Sequence, residues 1–362
     1  MNRFWRGTPF PYRANSLNLV RLVLASAVLV AHAWYITGTG SGPGWKNENL
    51  GGWAVAGFFV VSGFLITRSR LSHGLGDYLV HRLARIMPAF VVCLVVTAVV
   101  FGPIAALVEQ GTLDGYLGTS PSPLSYIWTN LDLHVDQYAI GTTLSTVPYP
   151  QAWNGSLWTL YYEVCCYLVV GLLAVLGLVR RSPLPMALAF ALSVIAYAQV
   201  DVLQRYGANE DLSLLSRLLP FFLGGAVIHY VVDRFGIATI PGALSLPVAV
   251  LLIAVGPIGT AQATAPLLAY GILWLSTVVP QPKIVARNDV SYGVYIYAWP
   301  VQQLTELVGP TAGQLWPSIL LSGVITVLLG TVSWLLVERP VMRRVKRRDH
   351  GPVPAVGPPA TS

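Results

Sequence analysis

Ten apolar stretches, barely interrupted by charge, leave this chain very few folds to choose from. They run at about 15–36, 50–67, 87–108, 156–179 and 184–202, then 212–232, 240–257, 262–280, 290–308 and 315–338. A helix needs about 20 apolar residues to cross the hydrocarbon layer. No water satisfies backbone N–H and C=O groups there, so each such stretch must close its own hydrogen bonds. Of 362 residues only 10% are charged, where a soluble domain carries about 25%. The expectation is an all-α polytopic membrane protein with about ten transmembrane helices. The break between the seventh and eighth is the thinnest, resting on Pro257 and Gly259.

The charges test that count. With the amino terminus in the cytoplasm, the inner segments hold 18 of the 22 Lys and Arg. They are Arg3, Arg6 and Arg13; Arg68, Arg70, Arg82 and Arg85; Arg180 and Arg181; Arg234, Lys283 and Arg287; and the cluster from Arg339 to Arg348. The long outer segment 109–153 holds Glu109, Asp114, Asp132 and Asp136 with no Lys or Arg. This is a positive-inside pattern with both termini cytoplasmic. One helix more or fewer would put several basic clusters outside. The pI of 9.4 therefore reflects topology and anionic lipid headgroups, and no nucleic-acid partner is expected.

Arg21 and His32 stand out within the first stretch. Eleven residues at about 100° each bring both to one helix face, with His32 roughly 16 Å deeper. An ionisable group inside a spanning helix marks a functional site or a polar interior, and the plainer reading is a snorkelling arginine and a hydrogen-bonded core histidine. A cleaved signal peptide is disfavoured because Arg21 interrupts its apolar region. Cys93, Cys165 and Cys166 all fall in predicted spans, so neither a disulfide framework nor a metal site follows. The residues after the basic cluster, rich in Pro and Ala, read as a disordered tail. The division expected is a membrane domain over 1–342 and a basic, then disordered, cytoplasmic tail over 343–362.

Several motifs occur together in a telling order. They are Asn18-Leu19-Val20-Arg21 leading to His32, Phe58-Phe59-Val60-Val61-Ser62-Gly63-Phe64-Leu65-Ile66, and Arg82-Leu83-Ala84-Arg85-Ile86-Met87-Pro88. Asn154-Gly155-Ser156-Leu157-Trp158 through Glu163, Ser291-Tyr292-Gly293-Val294-Tyr295 and Val337-Glu338-Arg339-Pro340 follow. Taken together they resemble the membrane acyltransferase-3 family over about 15–342. Two departures show. Asn18-Leu19-Val20 stands where relatives often have Asp-Gly-Leu, and Ala298-Trp299-Pro300 replaces a histidine that often precedes the ninth-helix proline. The resemblance is to the stand-alone form, without the extracytoplasmic hydrolase-like domain of many relatives.

The resemblance implies roles. Members are thought to move an acyl group from cytoplasmic acyl-CoA, here expected to be acetyl-CoA, to an acceptor hydroxyl. Arg82 and Arg85, i and i+3 at the start of the third helix, would hold the CoA phosphates, since a guanidinium fork suits phosphate; their plain reading is topogenic charge. His32, with an ordinary pKa of about 6.5, would be the base or a transient acyl carrier. Arg21 would orient the thioester or diphosphate, or pair with an interior carboxylate. Glu163 would orient the histidine, assist proton transfer, bridge to Arg21, or simply hold another helix. Ser62 with Gly63 reads first as close helix packing, with the hydroxyl able to line the acyl path. Trp158 reads equally as substrate contact or interfacial belt, and Asn154 and Ser156 stand where a sugar acceptor would meet them. The expected activity is O-acyl transfer, in the first place O-acetyl transfer, to an exported glycan or lipid-linked saccharide in a bacterial inner membrane. The alternatives are a small secondary metabolite as acceptor, or a secondary transporter or flippase. A transporter predicts helices broken at matching places in two halves, and no such pairing is evident.

Overall fold

A computed structural model describes residues 6–46 and 48–349. Each of the ten apolar stretches contains a helix: α1 (Leu17–Ile36), α2 (Leu50–Ser72), α3 (Leu75–Gln110), α4 (Thr159–Leu173), α5 (Leu184–Ala198), α6 (Glu210–Phe235), α7 (Thr239–Val255), α8 (Ala265–Val278), α9 (Ser291–Val308) and α10 (Leu315–Lys346). Five of them, α1, α2, α3, α6 and α10, are long and apolar enough to cross a membrane by themselves. The only sheet among the described residues is a short hairpin of β1 (Gly44–Trp45) and β2 (Glu48–Asn49). The basic segment after Arg339 is helical through Asp349. The tail expected beyond it lies outside the described residues.

Helix faces show what solvent the fold suits. On α10, Leu320, Val324 and Leu328 are 70%, 62% and 61% exposed, while Ser318, Ser322 and Thr326 are fully buried. That is the reverse of a water-soluble helix, and it is stable only where the surroundings are apolar. Leu188, Leu192 and Ile195 on α5 and Leu251 and Val255 on α7 are likewise exposed. The protein is an integral membrane protein.

The centre is built on two close approaches. α2 and α6 pack most extensively, and a Cβ at Gly63 would fall 1.8 Å from the Phe222 carbonyl oxygen, one at Gly225 2.0 Å from that of Val60. Only hydrogen fits at either point, so Gly63 and Gly225 are what let the two backbones meet. α1 lies against both α2 and α9. From Ser291 through Gln303, α9 is buried on every side, which makes it the post around which the polar interior is arranged. At the mouth of α2, Asn49 Oδ1 accepts from Gly52 N at 2.8 Å, capping the helix, and its Nδ2 donates to Tyr35 OH at 2.9 Å. One side chain thus ties hairpin, α2 and α1 together.

Candidate active site

Arg21 and His32 share a face of α1, as their spacing requires, and each lines its own cavity. The cavity at Arg21 is small, about 40 Å³, and is also walled by Phe58, Ser62, Glu163 and Tyr292. The cavity at His32 is about 310 Å³ and includes Tyr35, Ser156, Trp158 and Trp299. Val55, Thr159 and Tyr295 line both. Tyr295 OH donates to the Ser156 carbonyl at 2.7 Å and pairs closely with Thr159 Oγ1. These three residues form a partition between the two spaces.

Beneath the small cavity lies a network of ions. Arg21 Nη1 donates to Asp289 Oδ2 at 2.6 Å, and Arg85 Nη2 donates to the same oxygen at 2.7 Å. Arg85 Nη1 donates to Glu338 Oε2 at 2.7 Å. Ser291 Oγ donates to Asp289 Oδ1 at 2.6 Å, and Ser333 Oγ to Glu338 Oε1 at 3.2 Å. A π-helical turn over Trp334–Glu338 widens α10 there, in keeping with the functional placement of many such turns. Asp289 sits just before α9. Burial pushes its carboxyl up, but Arg21 and Arg85 and two hydrogen bonds from Ser291 outweigh that and hold it at about 2.

Several sequence expectations change here. Arg21 pairs with an interior carboxylate, but with Asp289 rather than Glu163. Glu163 Oε1 instead accepts from Ser62 Oγ at 3.0 Å and Tyr167 OH at 2.6 Å, and none of its hydrogen bonds reaches His32. Two interposed side chains, Thr159 and Tyr295, are the physical reason. Arg85 is only 12% exposed and committed to two carboxylates, so it braces three segments instead of standing open to phosphate. Arg82 keeps a buried Nε with no hydrogen-bond partner.

Asn154 and Ser156 part company. Asn154 is buried outside the His32 cavity, its Nδ2 donating to the Ile296 carbonyl at 3.2 Å and its Oδ1 accepting from Ser156 Oγ at 3.1 Å. It fixes the turn before α4 to α9. Ser156 and Trp158 do line the cavity. His32 Nδ1 is buried with no hydrogen-bond partner, and its ring meets Trp299 edge to face at 4.7 Å. The residue standing where relatives often carry histidine thus packs directly on the histidine of α1.

Sequence reading passed over Asp289, Glu338, Thr159 and Tyr295. Three of the four lie within the quoted motifs, and Asp289 two residues before one, but hydropathy does not mark them as meeting at one depth. Arg217, in α6, had a signal of its own, as an ionisable residue inside a spanning helix. All three cysteines are free, and among the described residues no group of three or more His, Cys, Asp or Glu could hold a metal.

Ionisable and hydroxyl side chains enclosed by helices with apolar outer faces define an integral membrane protein with a polar interior. The model of a family described as an acyltransferase domain matches residues 14–338. The chain belongs to that family, acyltransferase-3, and is a membrane acyltransferase. It is similar to an "O-acetyl transferase" of Shigella phage Sf6, 28% identical over 343 residues that cover 92% of this chain and 97% of the relative. It is also similar to "Nodulation protein 10" of Rhizobium leguminosarum bv. viciae, 28% identical over 358 residues, 91% and 93% of the two chains. No solved structure matches it.

Proposed function

We propose that the protein is an O-acetyltransferase that takes acetyl from cytoplasmic acetyl-CoA and places it on a hydroxyl of an exported glycan or lipid-linked saccharide. All ten helices cross a bacterial inner membrane with both termini cytoplasmic, so the Arg21 cavity faces inward and the His32 cavity outward. The observation that carries this reading is the pair of cavities on α1, cation and carboxylate lining one and an imidazole lining the other, meeting at Val55, Thr159 and Tyr295. The activity for which the phage relative is named supports O-acetyl transfer.

Each group then has a task. Arg82, near the inner end of α3, contacts CoA phosphate through the terminal N–H groups of its guanidinium. Arg21, held by Asp289, turns its remaining N–H groups to the donor on the inner side of the partition, so that the thioester carbonyl comes to rest at Thr159 and Tyr295, where the acceptor hydroxyl meets it. His32 accepts the proton of the acceptor hydroxyl. The hydroxyl oxygen bonds to the acetyl carbon, the carbon–sulfur bond breaks, and the CoA thiolate leaves inward. The imidazolium returns its proton to solvent on the outer side. Ser62 and Glu163 line the acyl chamber, and Ser156 and Trp158 face the acceptor.

The test is transfer of labelled acetyl from acetyl-CoA to extracted surface glycan in membranes holding wild-type protein or His32→Ala. Wild type transfers label, and His32→Ala, present at normal level, loses at least a hundredfold, the scale of general-base catalysis, roughly 10²–10⁴-fold. Transfer at the wild-type rate by His32→Ala overturns the histidine mechanism. Absence of any transfer by wild type overturns the enzyme reading and favours transport.

A further inference from the structure

A third cavity, of about 410 Å³, adjoins the His32 cavity, and none of the steps above uses it. Gly52, Arg217 and Leu218 line both, so Arg217 stands on the boundary. Its Nε donates to Glu48 Oε1 at 2.7 Å and its Nη2 to Glu48 Oε2, an aligned fork on a carboxylate. The pair is 31% and 20% exposed, so it faces the void rather than being sealed in protein. Trp53 and Tyr197 supply aromatic rings to the same wall. The Trp53 ring is fixed, with its Nε1 donating to the Trp45 carbonyl at 3.1 Å and the two indoles 5.4 Å apart. Gln262, 3% exposed, reaches the Arg217 carbonyl at 3.4 Å. Lys46, which follows β1, reaches the Gly256 carbonyl at 3.4 Å across the opening.

We propose that this cavity is a subsite for the neutral sugar rings that flank the acylated one in an oligosaccharide acceptor. The chemistry of the walls selects that class. An apolar ligand would strip water from Lys46, Glu48 and Arg217 and return nothing. A strongly anionic ligand would meet Glu48 as well as the cations. A sugar ring offers an apolar C–H face to Trp53 and Tyr197 and a rim of hydroxyls, each donor and acceptor. An internally neutralised guanidinium–carboxylate pair meets such a rim with charge-assisted bonds on both sides. Each cavity lies within the roughly 300–1,000 Å³ of small-ligand sites, and two in series suit more than one ring. Arg217 and Gly52 are where a chain passing from one to the other would present a hydroxyl toward His32.

The proposal rests on the acyltransferase reading for its purpose, but its binding can be read separately. Purified protein in lipid nanodiscs is offered monosaccharide and trisaccharide fragments of the host's surface polysaccharide, de-O-acylated with alkali. Binding is followed by saturation-transfer NMR, and transfer from labelled acetyl-CoA gives KM for both substrates. Trisaccharides bind more tightly than monosaccharides. Trp53→Ala raises their Kd and acceptor KM about tenfold, a loss of about 1.4 kcal/mol, while the KM for acetyl-CoA stays as in wild type. Trp53→Phe recovers most of the loss. Because Arg217→Ala strands Glu48, the charge pair is tested by Glu48→Gln with Arg217→Gln together, expected to weaken binding at least fivefold. Wild-type affinity in both Trp53→Ala and the double variant overturns the subsite, as does failure of wild type to bind any fragment. If fragments fail to bind yet acetyl passes to a simple alcohol, the enzyme reading survives and the subsite falls. If fragments bind as expected and no acetyl moves, the subsite stands and the enzyme reading falls.

Discussion

Arg21 on α1 and Arg85 on α3 share one oxygen of Asp289, at 2.6 and 2.7 Å. Two cations 64 residues apart in sequence are thus held together by one carboxylate that precedes α9. Breaking a buried pair by deleting one partner strands the other charge. Asp289→Asn is therefore expected to lower stability by about 3 kcal/mol, the low end for such a loss, and to abolish transfer. Thermal unfolding in mild detergent checks the first, and the acetyl assay the second. The sign of the pH effect follows from a carboxyl held at about 2, below its ordinary value of about 3.9. The network's contribution is complete above the ordinary value and is lost only as pH falls through about 2.

On the proposed function, the small cavity limits acyl length. One water-sized group needs about 10–15 Å³ of such space, so the 40 Å³ beside Arg21 holds three, the number of heavy atoms in acetyl. Phe58 lines it and packs on Tyr295 with ring centroids 5.9 Å apart. Phe58→Ala should raise kcat/KM for butyryl-CoA relative to acetyl-CoA at least tenfold, within the roughly 1–3 kcal/mol that added methylenes command in a pocket. Competition between the two labelled donors measures the ratio, and an unchanged ratio would place the acyl group elsewhere.

Gly63 tests the α2–α6 crossing. An added Cβ would sit 1.8 Å from a carbonyl oxygen, which a backbone can relieve only by moving. Gly63→Ala should cost about 1–3 kcal/mol and Gly63→Val should prevent accumulation of folded protein. Size-exclusion profiles in detergent show both.

His134 links the segment between α3 and α4 to the start of α6. Its Nδ1 pairs with Asp136 at 2.7 Å and its Nε2 with Asp211 at 3.2 Å. The hydrogen bond to Asp136, with that to Asp211, raises its pKa against partial burial. A raised histidine contributes fully below its ordinary value of about 6.5 and loses the contribution as pH rises through the folded value. Amide exchange around residues 130–137, corrected for intrinsic rate, should therefore speed up at alkaline pH in wild type and be pH-independent in His134→Ala.

What the sequence determined by itself was what depends on local pattern and on solvent. Apolar runs fixed where the helices lie, because a backbone in lipid must close its own hydrogen bonds. The spacing of Arg21 and His32 fixed their common face, because helix geometry leaves no alternative. Gly63 beside Ser62 marked a close crossing for the same local reason. Pairing across the bundle was not legible. Nothing local distinguishes Asp289 from Glu163 as the partner of Arg21, since that choice depends on which helix ends arrive at one depth. Tertiary structure decided it, placing the start of α9 under α1 and leaving Glu163 to Ser62 and Tyr167. It likewise withdrew Asn154 from the cavity, because Ile296 on the buried α9 offers its carbonyl there. The partition at Thr159 and Tyr295 joins residues 136 apart. Such a contact costs chain entropy and forms only once the helices on either side have packed.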